Sequence, residues 1–305
     1  SVQRALELLG LGARSLRTVR VQGDYRVDVP ALHARIRHDR AAGLQPIAIV
    51  GTAGTVNTGA IDDLAALARL AREQDAWFHV DAAIGAALAL SPPLAALLDG
   101  LEQADSVAFD LHKWMHVPYE AGCILVRDAE LHRDTFTLTP PYLAGHERGV
   151  LANARFMADY GPQLSRGFRA LKIWMSLKEH GSARLGRLVE RNCQQAHRLA
   201  ALVDAHPRLE RLAPAGLNIV CFRYVGPLRS PPLALDALNR ELLLRLQESG
   251  VCVPSSTVLE GKFALRVCIA NHRTRDEDLD LLIAEAVRHG DHLVQNGAFH
   301  GESKG

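Results

Sequence analysis

Two residues in this sequence are placed where they can do covalent chemistry. Lys113 lies in "AFDLHKW", between a histidine and a tryptophan, in a stretch that otherwise reads as buried strand and turn. An unpaired ammonium taken out of water costs several kcal/mol or loses its proton, so a lysine there needs a partner or a task. Asp81 closes the apolar run "AWFHVDAA", one predicted strand earlier. Each has a plainer reading: the lysine snorkels to solvent, and the aspartate caps a helix or accepts a neighbouring backbone N–H. Together they match the needs of pyridoxal phosphate, which takes a lysine amine on its aldehyde and a carboxylate at its ring nitrogen. A carboxylate about 3 Å from a pyridinium contributes roughly 5 kcal/mol at an effective dielectric of about 20, enough to keep that nitrogen protonated at neutral pH. Ala83, two residues beyond Asp81 and on the same side of an extended strand, is small enough for a flat ring to lie against it, although core filling explains an alanine equally well.

The elements that must position these residues alternate. "LRTVRVQG" reads as a strand, "VPALHARIRHDRAAG" as a helix, "PIAIVGTAGT" as a strand, "IDDLAALARLAREQD" as a helix, and "AWFHVDAA" as the next strand. Short apolar strands separated by amphipathic helices predict an α/β domain with a mainly parallel sheet. Ligands of such sheets bind beyond the carboxyl ends of the strands. "VGTAGTVNTG", "HVDAA" and "AFDLHKW" all put small or polar residues at such ends, so one crevice is expected to receive all three. From about Pro162 the pattern changes to long helices broken near Gly181, followed by "LNIVCFRYVG", "LDALNRELLLRLQESG", "KFALRVCIA" and a last helix, "DEDLDLLIAEAVRHGDHLVQNG". The expected division is a large domain over 1–180 and a smaller α+β domain, with an antiparallel sheet, over 181–305.

Composition narrows the partners. With 35 basic and 34 acidic residues, scattered rather than blocked, the chain has no footprint for a polyanion, and nucleic acid is not expected. Apolar runs are interrupted by Gly and Pro before membrane-spanning length. Five widely spaced cysteines (Cys123, Cys193, Cys221, Cys252 and Cys268) predict a reducing, cytoplasmic setting rather than a disulfide framework. In "HKWMH" the spacing of His112 and His116 suits zinc on a helix, but Lys113 stands where a metallohydrolase has its glutamate, so no metal is expected. "GTAGTVNTG" lacks both glycine patterns of nucleotide loops and reads as a strand-to-helix turn.

The series "GTAGTVNTGAIDDL", "WFHVDAA", "ADSVAFDLHKW", "PPYLAG", "SRGFRALKIW" and "KFALRVCIANHRT", in that order along nearly the whole chain, resembles the group II pyridoxal-phosphate-dependent amino-acid decarboxylases of fold type I. The resemblance implies that Lys113 bonds the cofactor, Asp81 pairs with its ring nitrogen, Ala83 touches the ring, and Asp110 and His112 sit by its phosphate. Many relatives carry Asn or Ser at the place of Asp110, and Val56 stands where several have a hydroxyl residue. Tyr142, in a Pro- and Gly-rich loop, matches a tyrosine held on a mobile lid that protonates Cα after carbon dioxide leaves, often in the neighbouring subunit's site. Its reference pKa near 10 suits a general acid. Relatives with Phe there tend towards aldehyde-forming oxidation, so Tyr142 implies simple decarboxylation.

The resemblance further implies an L-amino-acid substrate, aromatic first with diaminobutyrate or glutamate behind, and a homodimer with sites at its interface. The rival within cofactor chemistry is an aminotransferase or lyase in which Arg266 clamps the substrate carboxylate, and the rival of another class is a non-catalytic homologue. Family residues that cradle the phosphate and stack on the cofactor lie upstream of what is Ser1 here. The expectation is that this chain is N-terminally incomplete and, by itself, binds cofactor poorly.

Overall fold

The computed structural model describes residues 1–137, 148–149, 156–226 and 232–296. Its first part contains α1 (Val2–Leu8), α2 (Val29–Ala41), β1 (Ala48–Thr52), α3 (Leu64–Glu73), β2 (Trp77–Asp81), α4 (Pro92–Ala95), β3 (Ser106–Asp110), β4 (Gly122–Val126) and α5 (Ala129–Phe136). Its second contains α6 (Arg169–His180), α7 (Ser182–Ala205), β5 (Leu209–Arg211), β6 (Ile219–Tyr224), α8 (Pro232–Glu248), β7 (Ser255–Leu259), β8 (Lys262–Cys268) and α9 (Asp276–Gln295).

The first sheet has the order β1-β2-β3-β4, parallel up to β3 and antiparallel at β4. Between β1 and β2 runs α3, started by Asp63, whose carboxylate accepts from the Ala66 N–H at 2.9 Å. Its Leu64, Leu67, Ala68, Leu70 and Ala71 form a buried stripe, packed in one core with Phe78 and Val80 of β2. Strand alternation then sends Trp77, His79 and Asp81 to the opposite face, where all three are half-buried.

Residues 16–23 depart from expectation. Apart from one bridge, Val21 to Val27, they form no strand. Alternation alone does not make a strand without a ladder to join. The segment is held instead by its arginines, Arg17 donating to Asp39 at 2.7 Å and Arg20 to Asp28 at 2.8 Å, and just beyond it Asp62 accepts from the N–H groups of Val27 and Thr52, both at 2.8 Å.

The second sheet is antiparallel, in the order β5-β6-β8-β7. Its core includes Leu199 of α7, Phe222 and Tyr224 of β6, Leu242 of α8, Leu265 of β8 and Ala286 of α9. Helix α7 belongs to both cores: Val189 and Cys193 pack with the first sheet's residues, Ala196 to Val203 with the second's. It passes so close to the Leu90 carbonyl that a side chain at Gly186 would collide with that oxygen.

Candidate functional site

Backbone hydrogen bonds stitch the three strand-end segments together. The Ala53 N–H donates to the Asp81 carbonyl at 2.9 Å, that of Ala82 to Ala108 at 2.8 Å, and that of Asp110 to Ala83 at 3.2 Å. Gly85 closes the cluster by donating to the Ala53 carbonyl, an approach that leaves no room for a Cβ. The three strand-end segments are thus held side by side, with Asp81 and Lys113 leaving from the ends of adjacent parallel strands.

At these strand ends, one Asp81 oxygen accepts from the Ala83 N–H at 3.1 Å, and the other carries no hydrogen bond among the described residues. That oxygen suits a protonated ring nitrogen. Lys113 follows β3 by one turn, its N–H donating to the Asp110 carbonyl, and its Nζ stands 2.7 Å from Asp110 Oδ2. The Lys113 side chain is 45% exposed. The Asp110 carboxylate thus has a cation beside it, which offsets the repulsion expected between a free carboxylate and a phosphate. His112 accepts the Ala121 N–H on Nδ1 at 3.0 Å and packs edge-on against Tyr119. Its neutral form then carries its proton on Nε2, a donor of the kind a phosphate oxygen takes.

Val56 is exposed, and Thr55 spends its hydroxyl on Thr58 and the Ala60 N–H within its own turn. Arg266 on β8 donates Nε to the Val56 carbonyl at 2.8 Å and Nη1 to Ser255 at 3.2 Å. Cys221 donates to the Asn57 carbonyl. The second sheet so braces the loop that follows β1. His112 and His116 have different partners, the latter meeting His272 edge-on at 5.5 Å. Burial, and then His272, hold His116 below its ordinary pKa. Tyr142 and the "PPYLAG" segment lie outside the described residues.

Sequence reasoning missed two groups. Trp114, next to Lys113 and fully buried, donates its indole N–H to Asn192 of α7 at 3.0 Å, and Asn192 in turn donates to Gln195 at 3.1 Å. Gln195 donates to the Thr274 carbonyl at 2.8 Å, so the lysine turn is anchored to the second half of the chain. Nothing local marks Asn192 as a partner 78 residues away. The other group is Ser106 with Trp77 and His79; the alternation of "WFHVD" places both rings on the face of Asp81 and could have drawn attention to them. Burial lowers the His79 pKa, against the opposing pull of Asp81.

Residues 1–225 match the model of the pyridoxal-dependent decarboxylase conserved domain. The chain is 34% identical to an aromatic-L-amino-acid decarboxylase of Bacillus atrophaeus over 279 residues, covering 92% of this chain and 58% of that protein. It is 34% identical to an L-2,4-diaminobutyrate decarboxylase of Rhizobium meliloti (strain 1021), over 90% of this chain and 54% of the relative. Among solved structures, Oryza sativa TDC with PLP and tryptamine superposes with a TM-score of 0.87 at 27% identity, covering 95% of this chain and 60% of that one. The chain thus spans a little over half the length of the curated relatives it matches.

Proposed function

Because this chain belongs to the pyridoxal-dependent decarboxylase family, we propose that the protein it represents removes the carboxylate of an L-amino acid as carbon dioxide, using pyridoxal 5'-phosphate. The observation that carries this reading is the set of hydrogen-bonded strand ends, in which Asp81 keeps one oxygen without a partner among the described residues beside the strand end that presents Lys113. The donor set fits the cofactor: an accessible amine, a carboxylate for the ring nitrogen, the small Ala83 beside it, and a neutral His112 with a donor proton. When bound, the cofactor's protonated ring supplies the electron sink for the bond broken at Cα.

In this reading Lys113 is the amine that would hold the cofactor through its aldehyde. Asp81 keeps the ring nitrogen protonated, Ala83 lies against the ring, and His112 and Asp110 flank the phosphate. Tyr142 would be the general acid that delivers the proton to Cα. Residues 1–180 supply these groups, and residues 181–305 form the smaller unit that braces them.

Arg266 favours decarboxylation over transamination, since its Nε and Nη1 are engaged with Val56 and Ser255. A decarboxylase gains nothing from pairing tightly with the carboxylate it must lose. Aromatic amino acids come first as substrates, as the likeness to the aromatic-L-amino-acid decarboxylase of Bacillus atrophaeus and the tryptophan decarboxylase TDC1 of Camptotheca acuminata suggests, with diaminobutyrate next. We further read the protein as a homodimer, by likeness to the family, and as cytoplasmic, since all five cysteines are free. No helix among the described residues is long and apolar enough to cross a membrane.

The test is a panel of L-amino acids incubated with the longer protein and pyridoxal phosphate, with carbon dioxide and products measured. Carbon dioxide with the matching amine supports the proposal. A keto acid without carbon dioxide overturns it in favour of transamination, and an aldehyde with ammonia overturns the role given to Tyr142.

A further inference from the structure

The half-buried face of β2 carries Trp77, His79 and Asp81 in succession, and Ser106 of β3 lies opposite His79. Trp77 Nε1 is 2.7 Å from Ser106 Oγ, and Ser106 Oγ is 2.8 Å from His79 Nδ1. An indole nitrogen only donates, so the Ser106 oxygen accepts from Trp77. The single hydroxyl hydrogen then has one place to go among the described residues, His79 Nδ1. That assigns the tautomer: Nδ1 accepts, and the ring proton is on Nε2. A second proton on His79 would turn Nδ1 into a donor. Ser106 would have to accept twice, and its own hydrogen, on a residue only 6% exposed, would be stranded.

We propose that Ser106, oriented by Trp77, is a positioning residue that keeps His79 a neutral imidazole and so reserves the charge of Asp81 for the cofactor's ring nitrogen. The proposal rests on the reading of Asp81 given above. An imidazolium two residues away on the same face would compete for that carboxylate and weaken its hold on the pyridinium. Val50 of β1 and Ser106 of β3, the cross-strand neighbours of His79, carry no charge, and Asp81 is the charged group that acts on it. Burial of the ring works in the same direction as the hydroxyl.

Histidine-selective nitrogen NMR on the cofactor-free chain tests the assignment directly. In the wild type, His79 is expected to show an unprotonated Nδ1 and a protonated Nε2. In Ser106→Ala its titration midpoint is expected to rise by about one pH unit, the worth of one hydrogen bond. Trp77→Phe, which frees the hydroxyl to accept from a charged ring without emptying the Ser106 site, should raise it too. Ser106→Thr, which keeps the hydroxyl on a strand-favouring residue, should restore the wild-type value. A wild-type His79 protonated on Nδ1, or midpoints unchanged in both Ser106→Ala and Trp77→Phe, overturns the proposal.

Binding of pyridoxal phosphate to the longer protein supplies the second arm. Ser106→Ala should lose about tenfold in affinity at a pH below its own NMR midpoint for His79, where that ring is charged, and little at a pH about two units above that midpoint. An equal loss at both values marks a merely structural role and overturns the proposal. Absence of cofactor binding by the wild type at either pH overturns the functional reading and with it the role of Asp81, while the tautomer stands or falls on the NMR alone.

Discussion

A lysine three residues after an aspartate is an unremarkable pair in sequence, and here Lys113 and Asp110 form an ion pair at 2.7 Å at the end of β3. Replacing Lys113 with alanine is expected to abolish covalent attachment of pyridoxal phosphate. Borohydride reduction followed by mass spectrometry of the 113-containing peptide checks this, and turnover should fall by at least about a hundredfold. Asp110→Asn should act in the other direction. It removes a carboxylate beside the expected phosphate but also the partner of the Lys113 amine, so the two effects partly cancel and equilibrium dialysis should show cofactor binding tighter by no more than about threefold. The placement of Asp81 and Lys113 at adjacent strand ends was legible because the apolar strand pattern fixes where each strand stops. The pairing of Asp110 with Lys113 was not, because it depends on the rotamers adopted in a turn.

At the scale of elements, the contacts that hold the site come from residues distant along the chain. Asn192→Leu keeps the number and branching of heavy atoms but strands the Trp114 indole N–H and the Gln195 carbonyl oxygen in the interior. It should cost roughly 2–4 kcal/mol in urea denaturation, the penalty for two orphaned groups. In the second sheet, burial pushes the Glu210 pKa up, but Arg223 at 2.7 Å and then Lys262 prevail and hold it below the ordinary 4.5. The folded state therefore stays ionised where the unfolded chain takes up a proton. The stabilisation is complete above pH 4.5 and is lost as pH falls through the folded-state value. Denaturation curves between pH 6 and pH 3 should be less pH-dependent in Glu210→Gln than in the wild type. The helices α2, α3, α7 and α9 and the strands β1, β2, β3, β6 and β8 follow periodicities visible in the sequence. The segment 16–23 shows the limit: its alternation is as clear, yet it has no neighbour with which to build a ladder.

At the scale of the whole molecule, apolar side chains are exposed on α6 and on β4. Trp174 on α6 is 59% exposed beside Leu171 and Met175, and Ile124 of β4 is 52% exposed on the face of the first sheet that carries Asp81. Exposed apolar groups clustered in this way mark surfaces that function under cover. The 305-residue chain tested alone is expected to bind pyridoxal phosphate at least about tenfold more weakly than the longer protein, because a site open to water weakens every polar contact within it. The strength of the cofactor absorbance band in each checks this, and a band of equal strength refutes it. What the amino-acid order decided unaided was the strand-helix alternation, the change of architecture after Pro162, and the arrival of an acid and a lysine at neighbouring strand ends. These follow from periods of 2 and 3.6 residues and from backbone sterics, all of them local. Only tertiary structure decided that Asn192 anchors the lysine turn, that Ser106 chooses the proton of His79, and that α7 serves two cores. Such contacts join residues tens of positions apart, and they are selected by which side chains fill the same space, a quantity no local pattern contains.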